Sequence, residues 1–131
     1  MNQPVSLITM MYKTNFIVLV LEDSRDKVVI WDDYERRHVT EISFNSDVKN
    51  VLLRKDMLIV ALQDKSFVFE FISLKLIEHV ETGHNPQGLC GIATDEHCRQ
   101  KVVAFNYPKS EVGHIRILNY GKTSVFNNCF L

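Results

Sequence analysis

The stretch Lys27–Asp33, KVVIWDD, decides how this chain is read: an apolar strand runs into an aromatic residue and two aspartates. Strand cores of the same kind return at Ser66–Phe71 (SFVFEF) and His114–Asn119 (HIRILN). They lie about forty residues apart, each preceded by further apolar runs and turns, which is the period of a β-propeller blade of four antiparallel strands. At roughly 40–45 residues per blade, the 131 residues supply about three blades. Closed propellers have roughly four to eight. The expected fold is therefore all-β: a partial β-propeller of about three four-stranded antiparallel blades, WD-repeat-like, with the ring incomplete. A blade buries its flat faces only against neighbouring blades, so the outer faces of such an array are expected to be sticky.

Outward from that strand, Val5–Met11 and Phe16–Leu21 form a hairpin around the polar reversal Tyr12–Asn15. Glu22–Asp26 is a charged loop, Asp33–Arg37 is a turn, and His38–Phe44 alternates as an outer strand. These complete a first blade over residues 1–46. A second blade over 47–83 uses Val48–Arg54, Met57–Leu62, Lys65–Phe71 and Leu76–Glu81. Phe67, Phe69 and Phe71 share one face, because side chains alternate with period two. No charged residue joins them, so the row is expected to pack between blades rather than to form a ligand platform. A third blade over 84–131 takes Gln87–Ala93, Lys101–Phe105 and Gly113–Asn119, with long polar loops at Thr94–Gln100 and Asn106–Val112. Only Thr123–Phe126 offers a fourth strand, and Asn127–Leu131 (NNCFL) has no obvious partner, so this blade is expected to be incomplete.

Hydrophobic residues make up 46% and charged residues 24%, as in an ordinary globular core, and a net charge of −1 leaves no electrostatic footprint for nucleic acid. The longest apolar run, Phe16–Leu21, is far short of the roughly 20 residues of a membrane-spanning helix, and no charged segment precedes it as in a signal peptide. A cytoplasmic protein is expected. Cys90, Cys98 and Cys129 lack a C-x-x-C spacing and are expected to be free thiols, with no metal site and no cofactor. No catalytic motif can be assembled. Asp32 and Asp33 are adjacent, so on a strand they face opposite sides and cannot act as an acid/base pair. Asp32 is better placed to cap a turn. An enzyme is not expected.

Several segments together resemble the PROPPIN (WIPI) family, the seven-bladed WD-repeat propellers that bind phosphoinositides, including phosphatidylinositol 3-phosphate, and act in autophagy. They are Met10–Val20 (MMYKTNFIVLV), Lys27–Asp33, Glu41–Leu53 (EISFNSDVKNVLL), Leu58–Leu62 (LIVAL), Leu74–Thr82 (LKLIEHVET), Asn85–Cys90 (NPQGLC) and Val112–Leu118 (VGHIRIL). Single pieces would be weak, but seven occur in the family's order and spacing, up to about Asn119. The resemblance implies coverage of about the family's blades two to four.

By the same resemblance, the family's lipid motif, Phe/Leu-Arg-Arg-Gly, has no counterpart here, and no lipid-binding residue is assigned. Arg36–Arg37 lack the glycine and stand between Glu35 and His38 in a turn. A pair of arginines can each make charge-assisted bonds to a phosphate, so without that motif phosphoinositide membranes would be reached only through the blades not covered. The implied role is that of a scaffold piece in autophagosome formation, contributing structure and a surface for autophagy proteins such as the family's lipid-transfer partner. The implied contact residues are Arg25 and Lys27 in the segment Glu22–Lys27, and Arg54 and Lys55 in a turn matching a basic patch. The alternatives are a self-associating WD-repeat interaction module with no lipid role, a homo-oligomer through its exposed blade faces, or a truncated gene product.

Overall fold

A computed structural model describes residues 3–11, 14–93, 101–106, 114–120 and 126–130. The described residues form twelve strands in three antiparallel sheets of four. The first sheet holds β1 (Val5–Met10), β2 (Phe16–Leu21), β3 (Ser24–Asp32) and β4 (Arg37–Ser43), hydrogen-bonded in sequence order. The second holds β5 (Asn50–Arg54), β6 (Met57–Ala61), β7 (Lys65–Glu70) and β8 (Leu76–Glu81). The third holds β9 (Cys90–Ile92), β10 (Val102–Asn106), β11 (His114–Asn119) and β12 (Phe126–Phe130).

The sheets repeat in their hydrogen bonds as well as in strand count. The N–H just past the third strand returns to the carbonyl just before the second: Asp33 to Asn15 at 2.8 Å, Phe71 to Asp56 at 3.1 Å and Tyr120 to Lys101 at 2.9 Å. In the first two sheets the pairing of third and fourth strands slips at matching places, Ile30/Trp31 and Val68/Phe69. Such a bulge increases local twist, which lets flat sheets fan around an axis. The innermost strands of successive sheets touch, β1 against β5 and β5 against β9.

Two cores lie between the sheets. Val18, Val20, Val28 and Ile30 of the first sheet meet Leu58, Val60, Leu62, Phe69 and Phe71 of the second. On its other side the second sheet presents Met57, Ile59, Val68 and Val80 to Val103, Phe105 and Leu118 of the third. Strand β6 (MLIVA) is buried at every position, because alternate side chains serve the two cores. Each of its Met, Leu, Ile and Val side chains contributes roughly 1.5–3 kcal/mol by leaving water. The phenylalanine row packs between blades as expected: Phe71 meets Phe16 edge-on at 5.6 Å, and Phe67 and Phe69 flank Phe44 at 5.2 and 6.2 Å.

Two local expectations differ from the structure. The charged segment Glu22–Asp26 is not all loop, since β3 already begins at Ser24 and only Glu22 and Asp23 turn the chain. The third sheet is not left at three strands: Phe126–Phe130 pairs with β11 from Phe126↔Leu118 to Phe130↔His114. Pairing through backbone N–H and C=O groups makes no demand on side-chain pattern, so FNNCF can extend the ladder of β11. The expected loop Thr94–Gln100, with Cys98, lies outside the described residues, as does the expected loop Asn106–Val112 apart from Asn106, which ends β10.

Candidate partner-docking surface

The four basic residues singled out in the sequence do not share a surface. Arg25 and Lys27 lie at the start of β3, whereas Arg54 ends β5 at the opposite end of another sheet, followed by Lys55 in the β5–β6 turn. Arg25 is ion-paired with Glu22, whose hydrogen bond and charge raise the guanidinium pKa. Lys27 reaches Glu41 of β4 at 3.4 Å. Both pairs are exposed and add little stability.

Arg54 corrects the sequence expectation, for it is not a solvated turn residue but is 5% exposed. Its side chain lies on the face of β5 that meets the third sheet, where it donates to the Ala93 carbonyl at 3.0 Å. Its Nε is 3.1 Å from Asp56 Oδ1, close enough for an ion pair although not aligned as a hydrogen bond. Lys101 approaches the other Asp56 oxygen at 3.6 Å. The expected docking arginine therefore fastens the second sheet to the third, and of that pair only Lys55 is exposed.

Other polar residues fasten the same seam. In the NPQGLC segment, Asn85 closes its turn through Leu89 N and Leu89 O, at 2.9 and 3.0 Å. Gly88 adopts φ 63°, and its carbonyl accepts from Asn50 Nδ2 at 3.1 Å. Tyr120 donates to Glu78 at 2.9 Å, and its phenol pKa is raised chiefly by burial. Burial likewise pushes the Cys90 thiol up to about 11, which leaves it an unreactive packing residue. Among the described residues no group of three or more His, Cys, Asp or Glu could hold a metal ion, and no helix is long and apolar enough to cross a membrane.

A hollow able to take a side chain lies between the first and second sheets, at the end carrying the β3–β4 and β7–β8 turns. It is a cavity of about 200 Å³ lined by Phe16, Ile30, Val39, Phe71, Ile72 and Leu74, with Asp32 and Arg37 supplying the polar part. Asp32 accepts from Asn15 Nδ2 and from the backbone N–H of Tyr34 and Glu35, at 3.0 and 3.2 Å for the last two. These bonds, with that from Asn15 foremost, hold its carboxyl below the usual range, and the Arg37 charge adds to the effect. This is the turn-capping role expected of the aspartate in IWDD. Ile72 stands at φ 86° and Leu74 at φ 56°, and Ile72 is 79% exposed beside the cavity. A β-branched residue in left-handed backbone is strained by about 1–3 kcal/mol, held by its surroundings. Nothing in FISLK marks this turn in the sequence, because neither position is Gly or Asn.

Three four-stranded sheets, packed face to face along their inner strands with two bulged outer pairs, define a β-propeller of the WD-repeat kind. No family model matches the chain. SVP1-like protein 2 of Schizosaccharomyces pombe is 29% identical over 119 residues, which is 86% of this chain and 31% of the relative. Autophagy-related protein 18e of Arabidopsis thaliana is 36% identical over 78 residues, 60% of this chain and 20% of the relative. Among solved structures, Kluyveromyces lactis Hsv2 superposes with a TM-score of 0.76 at 20% identity, covering 97% of this chain and 37% of that one. A complex of KlAtg21 with the coiled coil of AgAtg16 superposes at 0.71 and 18% identity, over 86% of this chain and 37% of that one. The Cps50 (Swd1) propeller of Myceliophteria thermophila also reaches 0.66, so the fold alone is not selective. The sequence matches are what discriminate. The chain belongs with the PROPPIN β-propellers, as a homologue of the SVP1-like and Atg18 proteins. It spans about a third or less of the curated relatives it matches.

Proposed function

We propose that this chain is a piece of an autophagy scaffold that supplies three propeller blades and a protein-docking groove, and that the groove is the cavity between its first two sheets. The observation that carries the reading is the exposed, strained Ile72 beside an apolar hollow whose polar part, Asp32 and Arg37, bears both signs of charge. The turn's own hydrogen bonds, Leu74 N to Glu70 O and Glu70 N to Lys75 O, hold that backbone, and the apolar side chain it presents beside the hollow is suited to contact with a partner. The coiled coil bound by Atg21 in the solved complex supports a helical partner. Arg25, Lys27 and Lys55 serve at most as steering charge around it, since isolated surface charges set association rate more than affinity.

Phosphoinositide recognition belongs, on this reading, to blades outside the matched region, because no arginine pair followed by glycine occurs in the chain. The protein is accordingly cytoplasmic, with peripheral membrane association only through those blades, and it binds rather than catalyses. The test is a paired measurement on the full chain. A fluorescent peptide of the coiled-coil partner should bind, and Ile72→Asp should weaken it about 10-fold or more, as for a central apolar contact. Vesicles containing phosphatidylinositol 3-phosphate should leave the chain in the supernatant. Co-sedimentation with those vesicles, or peptide binding indifferent to Ile72→Asp, would overturn the proposal.

A further inference from the structure

The two turns at the hollow are equivalents held in different ways. The N–H groups just past the third strands, those of Asp33 and Phe71, bond to Asn15 O and Asp56 O, which aligns Asp32 with Glu70 and Tyr34 with Ile72. Asp32, 7% exposed at the end of β3, accepts directly from the turn N–H groups of Tyr34 and Glu35. Glu70 ends β7 with an exposed side chain one methylene longer, and it reaches its turn through an intermediary. The Ser73 hydroxyl donates to Glu70 Oε2 at 2.8 Å and accepts from the Lys75 N–H at 3.3 Å. Ser73 stands between the two left-handed residues, Ile72 at φ 86° and Leu74 at φ 56°. Two backbone bonds, Leu74 N to Glu70 O at 3.0 Å and Glu70 N to Lys75 O at 2.9 Å, close the base of the turn, but neither engages Ile72 or Ser73 themselves.

We infer that Ser73 is a positioning residue for docking: its hydroxyl latches the β7–β8 turn in the conformation that presents Ile72 beside the hollow. This rests on the groove being the docking site and names what pre-organises its rim. A non-glycine residue at positive φ relaxes toward ordinary backbone unless its surroundings hold it. The bond from Ser73 ends on a carboxylate, so it is stronger than a bond between neutral groups. With the latch closed the partner meets Ile72 already in place, whereas without it part of the binding free energy goes to ordering the turn. Apparent affinity then falls with the fraction of chains in the competent conformation. The hollow is lined by Ile72 and Leu74, not by Ser73 between them. Loss of the latch therefore slows association and leaves dissociation as it was.

The test is stopped-flow binding of the fluorescent coiled-coil peptide to the full chain, together with amide exchange by NMR on the chain without peptide. Ser73→Ala should raise Kd about 5-fold, as for one modest hydrogen bond. The loss should lie in the association rate, against the usual pattern of interface variants, with dissociation within about 2-fold of wild type. Ser73→Thr keeps the hydroxyl and should bind within about 2-fold of wild type. In the free chain Ser73→Ala should speed exchange of the Leu74 N–H about 5-fold, although that group bonds to Glu70 O and not to Ser73. Ser73 is exposed, so the thermal midpoint should not move. Unchanged Leu74 exchange in Ser73→Ala overturns the inference. So does a loss of affinity carried by faster dissociation, which would make Ser73 a direct contact, or an equal loss in Ser73→Thr. A wild type that binds no peptide refutes the docking groove, and the exchange rates then still decide the latch.

Discussion

Replacing Arg54 by methionine separates a fastening role from a docking role at that residue. Methionine keeps the apolar stem but removes the donor that Ala93 O accepts at 3.0 Å and the cation 3.1 Å from Asp56. Losing a partner costs a fully buried carbonyl about 1–3 kcal/mol, and Ala93 is partly buried. Breaking a fully buried ion pair costs about 3–5 kcal/mol, but the Asp56 side chain is 26% exposed and keeps Lys101 at 3.6 Å, so the second loss is smaller. A net destabilisation of about 3 kcal/mol follows, a large part of the roughly 5–15 kcal/mol that holds a domain. At this chain length it corresponds to a fall in Tm of about 10 °C. Urea unfolding followed by circular dichroism measures it, with exposed Lys55→Met as the control, expected within about 0.5 kcal/mol of wild type. A double-mutant cycle with Asp56→Asn should give a coupling of about 1 kcal/mol or more. If Arg54→Met unfolds with the wild-type midpoint yet weakens partner binding, Arg54 is a docking residue and the fastening argument fails.

Gly88→Ala should destabilise the chain by about 2–3 kcal/mol in the same urea assay, because left-handed backbone and overpacking penalties combine there. The added Cβ would lie 2.8 Å from the Cβ atoms of Lys49 and Asn50, at φ 63°; an unchanged midpoint would contradict the close approach of the two sheets. Asp32→Asn should destabilise at neutral pH, and the gap from wild type should close in acid. The folded carboxyl has a pKa below its unfolded value of 3.8, so its contribution is complete above that value and is lost as pH falls through the folded pKa. A gap that stays constant from pH 7 down to about pH 2, well below ordinary carboxylate values, would remove the ionised carboxylate from the account.

Strand patterning was legible in the chain itself. KVVIWDD, SFVFEF and LIVAL became β3, β7 and β6 within a residue or so at most ends, because period-two apolar runs between turn residues admit few other ways to bury themselves. The phenylalanine row and the capping role of Asp32 were legible for the same local reason. FNNCF was not, since its membership of the third sheet depends on an open ladder edge presented by β11. Arg54 was read as surface charge because its burial depends on Ala93 and Asp56, and Ala93 lies 39 residues away.

Sequence by itself determined that this is a repeating array of four-stranded sheets and to which family of propellers it belongs, since alternation, turn chemistry and motif order are written along the chain. Tertiary structure alone decided which charged residue is buried and where Ile72 is held in left-handed backbone beside a hollow. The reason is physical: strand formation is set by neighbours in the chain, whereas burial, strain and docking shape are set by a second sheet whose approach no local pattern encodes.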